Sequence, residues 1–391
     1  MNRQCASVHR KGKFSPEEVV SAAVELRAIA EGTSLLAFAF VSPDYLAHAE
    51  EFSEIVRVDG HVIDLVGVTG IGLTAEGKED EGEAGFSLVA LNGPSAEFRV
   101  HTFNQEMVEE STGPDFWKTK CPGGAPSAWI SLGNPFVFDA EQWLTEWNGA
   151  WPGVPTVGGL AGGSGDGENV GVFYNGRVVE ALAVAVKGMK VIPVVSQGCR
   201  PIGEPLTVTK ADSNVVYSLG ACPAYEALET AFEALTDGEK STAKGNLFAG
   251  LAGTEYVDEF KPGDFLIRNI LGADPNSGAV VIGGIPRVGQ TLQYQLRDKS
   301  SADTEWRSVL RHAAMESGRT PRASLLFSCS GRGSHLFESK GHEARLLEEL
   351  LGEHASAGFF CNGEIGPLGD RNYIHAYSTV CALFFDDPIS L

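Results

Sequence analysis

Four polar clusters interrupt apolar stretches of this sequence, and they hold residue types suited to binding a small polar molecule. An arginine guanidinium can bind a carboxylate through two parallel hydrogen bonds, and neighbouring glycines let backbone N–H groups approach a ligand. The clusters therefore predict a site for an amino-acid-like or other anionic small molecule, in which Arg200, Arg268 and Arg332 hold the anionic group. The predicted ligand-binding residues are Gln197, Arg200, Arg268, Asn269, Gln290, Arg297, Cys329, Arg332 and Glu364.

Each arginine also has a structural interpretation, because buried charges in proteins are normally paired. Arg297 is followed directly by Asp298, which could neutralise it within the fold. Arg332 lies between two glycines in Cys329-Ser-Gly-Arg-Gly333 and has no carboxylate adjacent in sequence. Ligand binding is therefore favoured more for Arg332 than for Arg297.

Cys329 ends an apolar run and begins a glycine-rich turn, a position where nucleophiles are often displayed. A catalytic cysteine needs a base and a lowered pKa. Glu364 or a histidine could carry the proton, although spacing alone places none of them beside the sulfur. A Cys-dependent enzyme using Cys329 and Glu364 is thus an alternative, and a small buried cysteine is the more common outcome.

The sequence predicts no metal site and no cofactor. Its seven cysteines are scattered and never form Cys-x-x-Cys, which matches neither a zinc site nor a disulfide scaffold and favours a reducing, cytoplasmic compartment. Haem binding through His335, His354 or His375 is a further alternative. The glycine runs that begin at Gly67 and Gly158 are not followed by helical sequence, so a dinucleotide site is not predicted.

The charge balance excludes several classes of partner. With 30 basic and 51 acidic residues, the formal net charge of −21 repels nucleic acids and anionic membranes. No apolar run approaches the roughly 20 residues that span a bilayer. Residues 1–13 lack the apolar stretch of a secretory signal, and the remnant of an organelle transit peptide is the alternative interpretation of this basic segment.

A strand–helix–strand–hairpin pattern recurs three times along the chain. Its strands begin at Ser34, Ala128 and Ser324, and the glycine runs follow after 33, 30 and 34 residues. Asn175-Gly176 predicts a hairpin turn. A helix beginning at Ser15 is predicted as the first ordered element, and loops are predicted at residues 76–83 and 102–126.

The repeats predict an α/β fold with mixed sheets. A single β-α-β-β unit cannot bury its own sheet, so the units should form two packed, pseudo-symmetric domains. The predicted division is an N-terminal extension and helix at 1–32, followed by domains at 33–222 and 223–391.

Several strings in this order resemble the FIST family, whose members carry FIST N-terminal and FIST C-terminal domains. The resemblance covers about residues 33 to 385. It rests on Val157-Gly-Gly-Leu, Ser196-Gln-Gly-Cys-Arg-Pro-Ile-Gly, Phe265-Leu-Ile-Arg-Asn, Val288-Gly-Gln, Leu296-Arg-Asp, Phe327-Ser-Cys-Ser-Gly-Arg-Gly and Gly358-Phe-Phe-Cys-Asn-Gly-Glu-Ile-Gly-Pro.

The resemblance implies a sensory module for a small ligand, with amino acids as the proposed class. Relatives act with histidine kinases or cyclic-dinucleotide signalling proteins, some bind haem, and an animal module follows an F-box in a ubiquitin-ligase adaptor. For this chain we expect a sensor with its ligand between the two domains and a downstream signalling or ubiquitin-ligase protein as partner. A protein-interaction adaptor is the remaining alternative.

Overall fold

The computed structural model describes residues 4–163, 165, 167–261 and 263–387. It contains ten α-helices and 26 strands within these residues, and a short 3₁₀ helix at Pro43–His48. The helices are α1 (Pro16–Ile29), α2 (Ala49–Asp59), α3 (Gln105–Glu109), α4 (Pro114–Lys120), α5 (Ala140–Ala150), α6 (Ala224–Glu233), α7 (Asp237–Ala243), α8 (Lys299–Ser317), α9 (Ser334–Phe337) and α10 (His342–Leu351).

The strands follow in chain order. They are β1 (Ala6–Lys11), β2 (Ser34–Val41), β3 (Val62–Thr69), β4 (Gly72–Ala75), β5 (Lys78–Glu81), β6 (Gly85–Leu91), β7 (Glu97–Phe103), β8 (Ala128–Gly133), β9 (Thr156–Leu160), β10 (Val172–Tyr174), β11 (Arg177–Val179), β12 (Ala181–Lys187), β13 (Met189–Ser196), β14 (Cys199–Pro201), β15 (Leu206–Asp212), β16 (Val215–Leu219), β17 (Cys222–Pro223), β18 (Leu247–Ala252), β19 (Phe265–Asp274), β20 (Ala279–Ile282), β21 (Thr291–Arg297), β22 (Ala323–Cys329), β23 (Ala355–Cys361), β24 (Glu364–Leu368), β25 (Arg371–His375) and β26 (Thr379–Asp386).

The chain divides into two compact units. Unit 1 comprises residues 1–195 and 307–391, and unit 2 comprises residues 196–306. Residue 222, where the sequence predicts a domain boundary, lies inside unit 2, and the predicted division of the sequence stays a prediction. All three sequence repeats lie in unit 1, and the predicted α/β class with mixed sheets and two domains is confirmed.

Unit 1 contains three six-stranded sheets with the same strand plan. Their orders are β1-β6-β2-β3-β10-β11, β7-β12-β8-β9-β24-β25 and β13-β26-β22-β23-β4-β5. At the centre of each sheet two strands of one repeat run parallel, namely β2 with β3, β8 with β9 and β22 with β23. The third and fourth positions of every sheet are thus filled by one sequence repeat.

The hairpins are exchanged between the repeats in a cycle. Hairpin β4–β5 follows the first glycine run but pairs with β23 of the third repeat. Hairpin β10–β11 follows the second run and pairs with β3 of the first, and β24–β25 follows the third run and pairs with β9 of the second. Each repeat therefore completes the sheet of another repeat.

Strand β2 shows how side chains that alternate between the two faces of a sheet form the two cores of unit 1. Leu36, Phe38 and Phe40 lie in a buried cluster shared by the central strands of all three sheets. Ala37 and Ala39 point to the opposite face, where they belong to a second cluster with residues of α1 and α2. Because successive side chains of a strand face opposite sides, a continuous apolar run is required here.

Unit 2 contains a closed antiparallel barrel. Pairings link β21, β15, β16, β20, β19 and β18, and β18 returns to β21, which closes a ring of six strands. Strand β14 pairs with β21, and α6 and α7 connect β17 to β18. This architecture was not predicted from the sequence.

Three local predictions were wrong. Strand β1 precedes the helix that begins after Ser15, so that helix is not the first ordered element, although Ser15 does cap it. The segment 76–83 is largely the hairpin β4–β5, whose turn residues Glu76 and Gly77 both have positive φ. The segment 102–126 carries α3 and α4 rather than a long loop. The hairpin turn at Asn175-Gly176 is confirmed.

Candidate functional site

The three glycine runs of unit 1 meet one another at the ends of the parallel strands. One backbone hydrogen bond leads from each run to the next and closes a ring of three. The bonds are Gly162 N–H to Thr69 O at 2.9 Å, Asn362 N–H to Leu160 O at 3.1 Å, and Ile71 N–H to Phe360 O at 3.2 Å. The carboxyl ends of three strand pairs are thereby brought to one place.

The glycines are required by this close approach. A Cβ atom on Gly158 would lie 1.8 Å from the carbonyl oxygen of Ser131 on the neighbouring strand. The same atom on Gly358, at the equivalent position of the third repeat, would lie 1.9 Å from the carbonyl oxygen of Leu326. The glycine runs in the sequence therefore indicate close packing of neighbouring strands, because no side chain fits at these two positions.

Among the described residues, the last in-register pair of the third repeat is ionisable, whereas those of the first and second repeats are not. The last residues in register are Val41 and Thr69 in the first repeat, and Gly133 and Leu160 in the second. In the third repeat they are Cys329 and Cys361, and Glu364 follows three residues later. We define Cys329–Gly333 together with Glu364 as the candidate site, since this is where the three repeats differ in chemistry.

Arg332 is fully buried and neutralised within the fold. Its Nε and Nη2 atoms donate to Oε1 of Glu343 at 2.9 and 2.7 Å, and Nη1 donates to the carbonyl of Tyr377 at 3.1 Å. Glu343 also accepts from the hydroxyls of Ser328 and Thr379, each at 2.6 Å. The guanidinium thus has the structural carboxylate that the residues beside it in sequence did not offer.

Glu364 is fully buried, and its two carboxyl oxygens have different surroundings. Oε2 accepts from the backbone N–H of Ser378 at 3.2 Å and from the Ser378 hydroxyl at 2.7 Å. Oε1 accepts no conventional hydrogen bond within the described part of the chain, and the Cys361 thiol is the neighbouring side chain that acts on this carboxyl group. Burial raises the pKa of Glu364 to about 8, while the Ser378 hydrogen bonds and the charge of Arg332 act in the opposite direction. Glu364 is therefore predominantly a neutral acid at pH 7.

Cys329 is partly exposed as a residue, whereas its thiol group is largely buried and lies near Glu364. Burial raises the pKa of Cys329 to about 12 and the Glu364 carboxyl adds to this, whereas the N–H groups of Gly331 and Tyr377 oppose it. The thiol is therefore protonated at neutral pH. Because the thiolate is the nucleophilic form, this environment does not supply the lowered pKa that the enzyme alternative needs.

A hairpin from the first repeat holds the segment that follows the candidate site. Glu81 on β5 accepts from the backbone N–H of Ser334 at 2.9 Å and from its hydroxyl at 2.5 Å. Glu79 accepts from the N–H groups of Gly341, Glu343 and Ala344 at the start of α10. Burial and the neighbouring charge of Glu343 raise the pKa of Glu79 to about 7.

Three of the predicted ligand-binding residues in unit 2 already bond to other side chains or turns there. Arg200 pairs with Glu239 and, at 3.3 Å, with Asp298. Arg297 donates to the side-chain oxygen of Asn246 at 3.0 and 3.2 Å. Gln290 donates to the Ala252 carbonyl at 2.9 Å and accepts from the Arg287 N–H at 3.1 Å, which places it in the structure of a turn.

The remaining three lie on or beside the strands of unit 2. Gln197 is buried and donates to the carbonyl of Gly263 at 3.4 Å. Arg268 donates to the Ile267 carbonyl at 3.2 Å, and Asn269 pairs with Phe248 in the β18–β19 ladder. Cys329, Arg332 and Glu364 belong to unit 1, whereas these six residues belong to unit 2. That the six bind a ligand stays a prediction.

The histidines considered for haem have different environments. Both ring nitrogens of His354 are engaged, with the Gly352 carbonyl at 2.7 Å and the Ser324 hydroxyl at 2.9 Å. His375 is buried with Nε2 3.1 Å from the Gly366 carbonyl, and His335 is exposed. Among the described residues, no group of three His, Cys, Asp or Glu side chains is placed to hold a metal ion. Haem binding stays a prediction.

Sequence reasoning missed Glu343 and Ser378. Glu343 precedes Leu346 and Leu347 by three and four residues, which places it on the apolar face of α10. A glutamate on such a face is a signal that its charge is paired, and it could have been read from the sequence. Ser378 had no comparable signal, because its contact with Glu364 depends on the pairing of β24 with β25.

The described residues also contain no helix that is both long and apolar enough to cross a membrane. Comparison with known proteins gives two family matches, the FIST N domain at residues 35–221 and the FIST C domain at residues 224–367. These are small-ligand sensory domains.

Similar full-length proteins are known from mycobacteria. Uncharacterized protein Rv0628c of Mycobacterium tuberculosis is 34% identical over 382 residues, covering 96% of this chain and 99% of that protein. Uncharacterized protein Mb0898c of Mycobacterium bovis is 34% identical over 346 residues, covering 87% and 89%. A solved cyanuric acid hydrolase from A. caulinodans aligns over 98% of this chain with 9% identity and a TM-score of 0.34, which supports no statement about function. The two family matches, in tandem and over most of the chain, establish that this protein belongs to the FIST family.

Proposed function

We propose that this chain is a small-ligand sensor, and that an amino-acid-like or other carboxylate-bearing molecule binds beside the Cys329–Gly333 turn through Glu364. The observation that carries the proposal is a fully buried carboxyl group whose Oε1 accepts no conventional hydrogen bond and has the Cys361 thiol as a neighbour. A buried polar atom without a partner costs about 1–3 kcal/mol, so a ligand that supplies the partner recovers this cost on binding.

The hydrogen bonds of Glu364 indicate which atom donates and which accepts in the contact with the ligand. Both bonds from Ser378 end on Oε2, so the proton of the neutral acid belongs on Oε1. Oε1–H then donates, and a ligand carboxylate or carbonyl oxygen accepts. Arg332 does not supply this interaction, because its charge is neutralised by Glu343.

The proposal predicts how affinity depends on pH. Glu364 can donate only while it is protonated, and its pKa is about 8. As the pH rises through that value Glu364 becomes negative and repels a ligand carboxylate, so affinity falls. A ligand that bound through an ammonium group would show the opposite trend, because it pairs with the ionised carboxylate.

The test is a thermal-shift screen of amino acids and small carboxylates, followed by calorimetric titration of each hit between pH 6 and 9. Glu364→Gln keeps an N–H donor but cannot ionise, so it should bind the ligand with no loss of affinity above pH 8. Glu79→Gln is the matched control, because Glu79 is a second carboxyl with a raised pKa whose two oxygens are both bonded. Its pH profile should equal that of the wild type.

Two results would contradict the proposal. One is affinity that rises between pH 7 and 9. The other is a Glu364→Gln profile that coincides with the wild-type profile, since the ionisation would then belong to another group.

A further inference from the structure

Unit 2 carries a cleft of about 370 Å³ with an apolar floor and two lysines at its edge. Its lining comes from α6, from α7 and the residues that follow it, and from the adjacent strands β18 and β19. The residues are Leu228, Phe232, Lys240, Ala243, Lys244, Gly245, Leu247 and Ile270. The volume is within the range of about 300–1,000 Å³ that is common for small-molecule sites.

The floor of the cleft leaves apolar side chains partly uncovered. Leu228 and Phe232 are one helical turn apart on α6, and both are partly exposed. Leu247 and Ile270 are partly exposed as well, on strands that pair from Phe248 and Asn269 onward. Four such side chains around one cavity form an apolar surface that a ligand could cover.

The two lysines supply a local positive charge on a chain whose net charge is −21. Within the described residues, neither ammonium group lies within 4 Å of a carboxylate oxygen. Lys240 is placed over the Phe232 ring, 5.9 Å from its centroid. The adjacent Glu239 does not neutralise it, because that carboxylate bonds to Thr236 and pairs with Arg200.

A structural interpretation accounts for only part of this arrangement. Lysines near the end of α7 complement the negative end of the helix dipole. That effect places the charges but does not explain the uncovered side chains of Leu228, Phe232, Leu247 and Ile270 beside them. A ligand with an apolar body and one negative charge accounts for both features.

We propose that this cleft binds a small amphipathic carboxylate, with its apolar body against Phe232 and its carboxylate between Lys240 and Lys244. The site lies wholly in unit 2 and is independent of Glu364. It therefore adds a second binding site, with an apolar floor, to the one proposed for unit 1.

Octanoate is the probe, titrated by calorimetry into the full chain at low and at physiological salt. We expect saturable one-site binding that weakens as salt increases. Octan-1-ol has the same apolar chain without the charge and should bind at least about tenfold more weakly, because charge-assisted hydrogen bonds are roughly twice as strong as neutral ones.

The double variant Lys240→Gln/Lys244→Gln should weaken octanoate binding by about tenfold or more. Lys210→Gln is the matched control, because Lys210 also belongs to unit 2 and lies over an aromatic ring, that of Tyr217, at 5.1 Å. It should leave the affinity unchanged. Glu364→Gln should also leave it unchanged, which separates this test from that of the unit 1 site.

The proposal is overturned if octanoate shows no saturable binding, or if the double variant binds it as well as Lys210→Gln does. Equal affinity for octan-1-ol would leave no role for the lysines and would also overturn it. Binding of an acidic peptide at this cleft without binding of octanoate would identify it as a protein-docking surface. Loss of octanoate binding in Glu364→Gln would assign the ligand to unit 1.

Discussion

Replacing Arg332 by methionine should destabilise unit 1 strongly. The substitution removes two hydrogen bonds to Glu343 and leaves that carboxylate fully buried without its cation. Breaking a buried ion pair in this way costs about 3–5 kcal/mol, because the remaining charge is no longer compensated. The ring of Phe337, 5.6 Å from the guanidinium carbon, loses a further contact.

The control is Arg200→Met, since Arg200 also pairs with two carboxylates but has a side chain that is 32% exposed. Solvent screens such a pair, so we expect a loss of about 0–1 kcal/mol. Adding Glu343→Gln to Arg332→Met should recover a large part of the loss, because the amide is uncharged. Its oxygen can accept from one of the two hydroxyls of Ser328 and Thr379, and its NH2 group can donate to the other.

Urea unfolding followed by tryptophan fluorescence suits this comparison. Five of the six tryptophans lie in unit 1, at positions 117, 129, 143, 147 and 151, so the signal reports mainly on that unit. If Arg332→Met and Arg200→Met lower the free energy of unfolding by the same amount, the buried Arg332–Glu343 pair does not stabilise unit 1 more than an exposed pair does. A loss in the double variant as large as in Arg332→Met alone would show that the uncompensated charge is not the cause.

Three further outcomes follow from the same geometry. The pKa of Glu364 is raised from 4.5 to about 8, so between these pH values the folded state binds more protons than the unfolded state. The free energy of unfolding should therefore fall as the pH rises through this interval. Glu364→Gln should remove this part of the pH dependence of unfolding. Gly158→Ala should prevent unit 1 from folding, because its Cβ would meet the Ser131 carbonyl oxygen, whereas Gly272→Ala has no atom within 4 Å and should fold normally as judged by circular dichroism. The Cys329 thiol should react with iodoacetamide at pH 8 more slowly than glutathione, measured by mass spectrometry of its peptide, and equal or faster labelling would refute the raised pKa.

The sequence predicted the repeats because their signals are local. Apolar runs of strand length, a helix of regular period and a glycine run at similar spacing recur in each copy, and the structure contains all three copies. The exchange of hairpins could not be predicted, because it depends on pairing between distant segments such as Thr74 and Gly358. Strand propensity gave the wrong prediction at residues 78–81. Lys-Glu-Asp-Glu forms a strand there, and its carboxylates accept hydrogen bonds from helix N–H groups and from other partners.

The residues of the candidate site were named from the sequence, and their role in ligand binding stays a prediction. Cys329 was identified from a strand end and Glu364 from its position in sequence after that turn, and the structure places them near one another. The proposed role of Arg332 rested on the absence of a carboxylate nearby in sequence, which does not limit contacts in space. Glu343 reaches it from α10, a helix that packs on the same sheet, and sequence adjacency carries no information about that contact.

The three repeats also bear on the proposal that one of them binds a ligand. Glycines such as Gly158 and Gly358 keep the same backbone geometry in different copies, so the strand ends are free to differ in side chains. The first and second repeats end with Val41 and Leu160 in their parallel registers and bury little charge there. The third repeat brings a neutral carboxyl, two thiols and a compensated ion pair to the equivalent place, at a cost in stability that packing alone would not select. An apolar replacement of the whole group should therefore stabilise unit 1 while abolishing ligand binding, and a loss of stability in that variant would argue instead that the polar residues serve the fold.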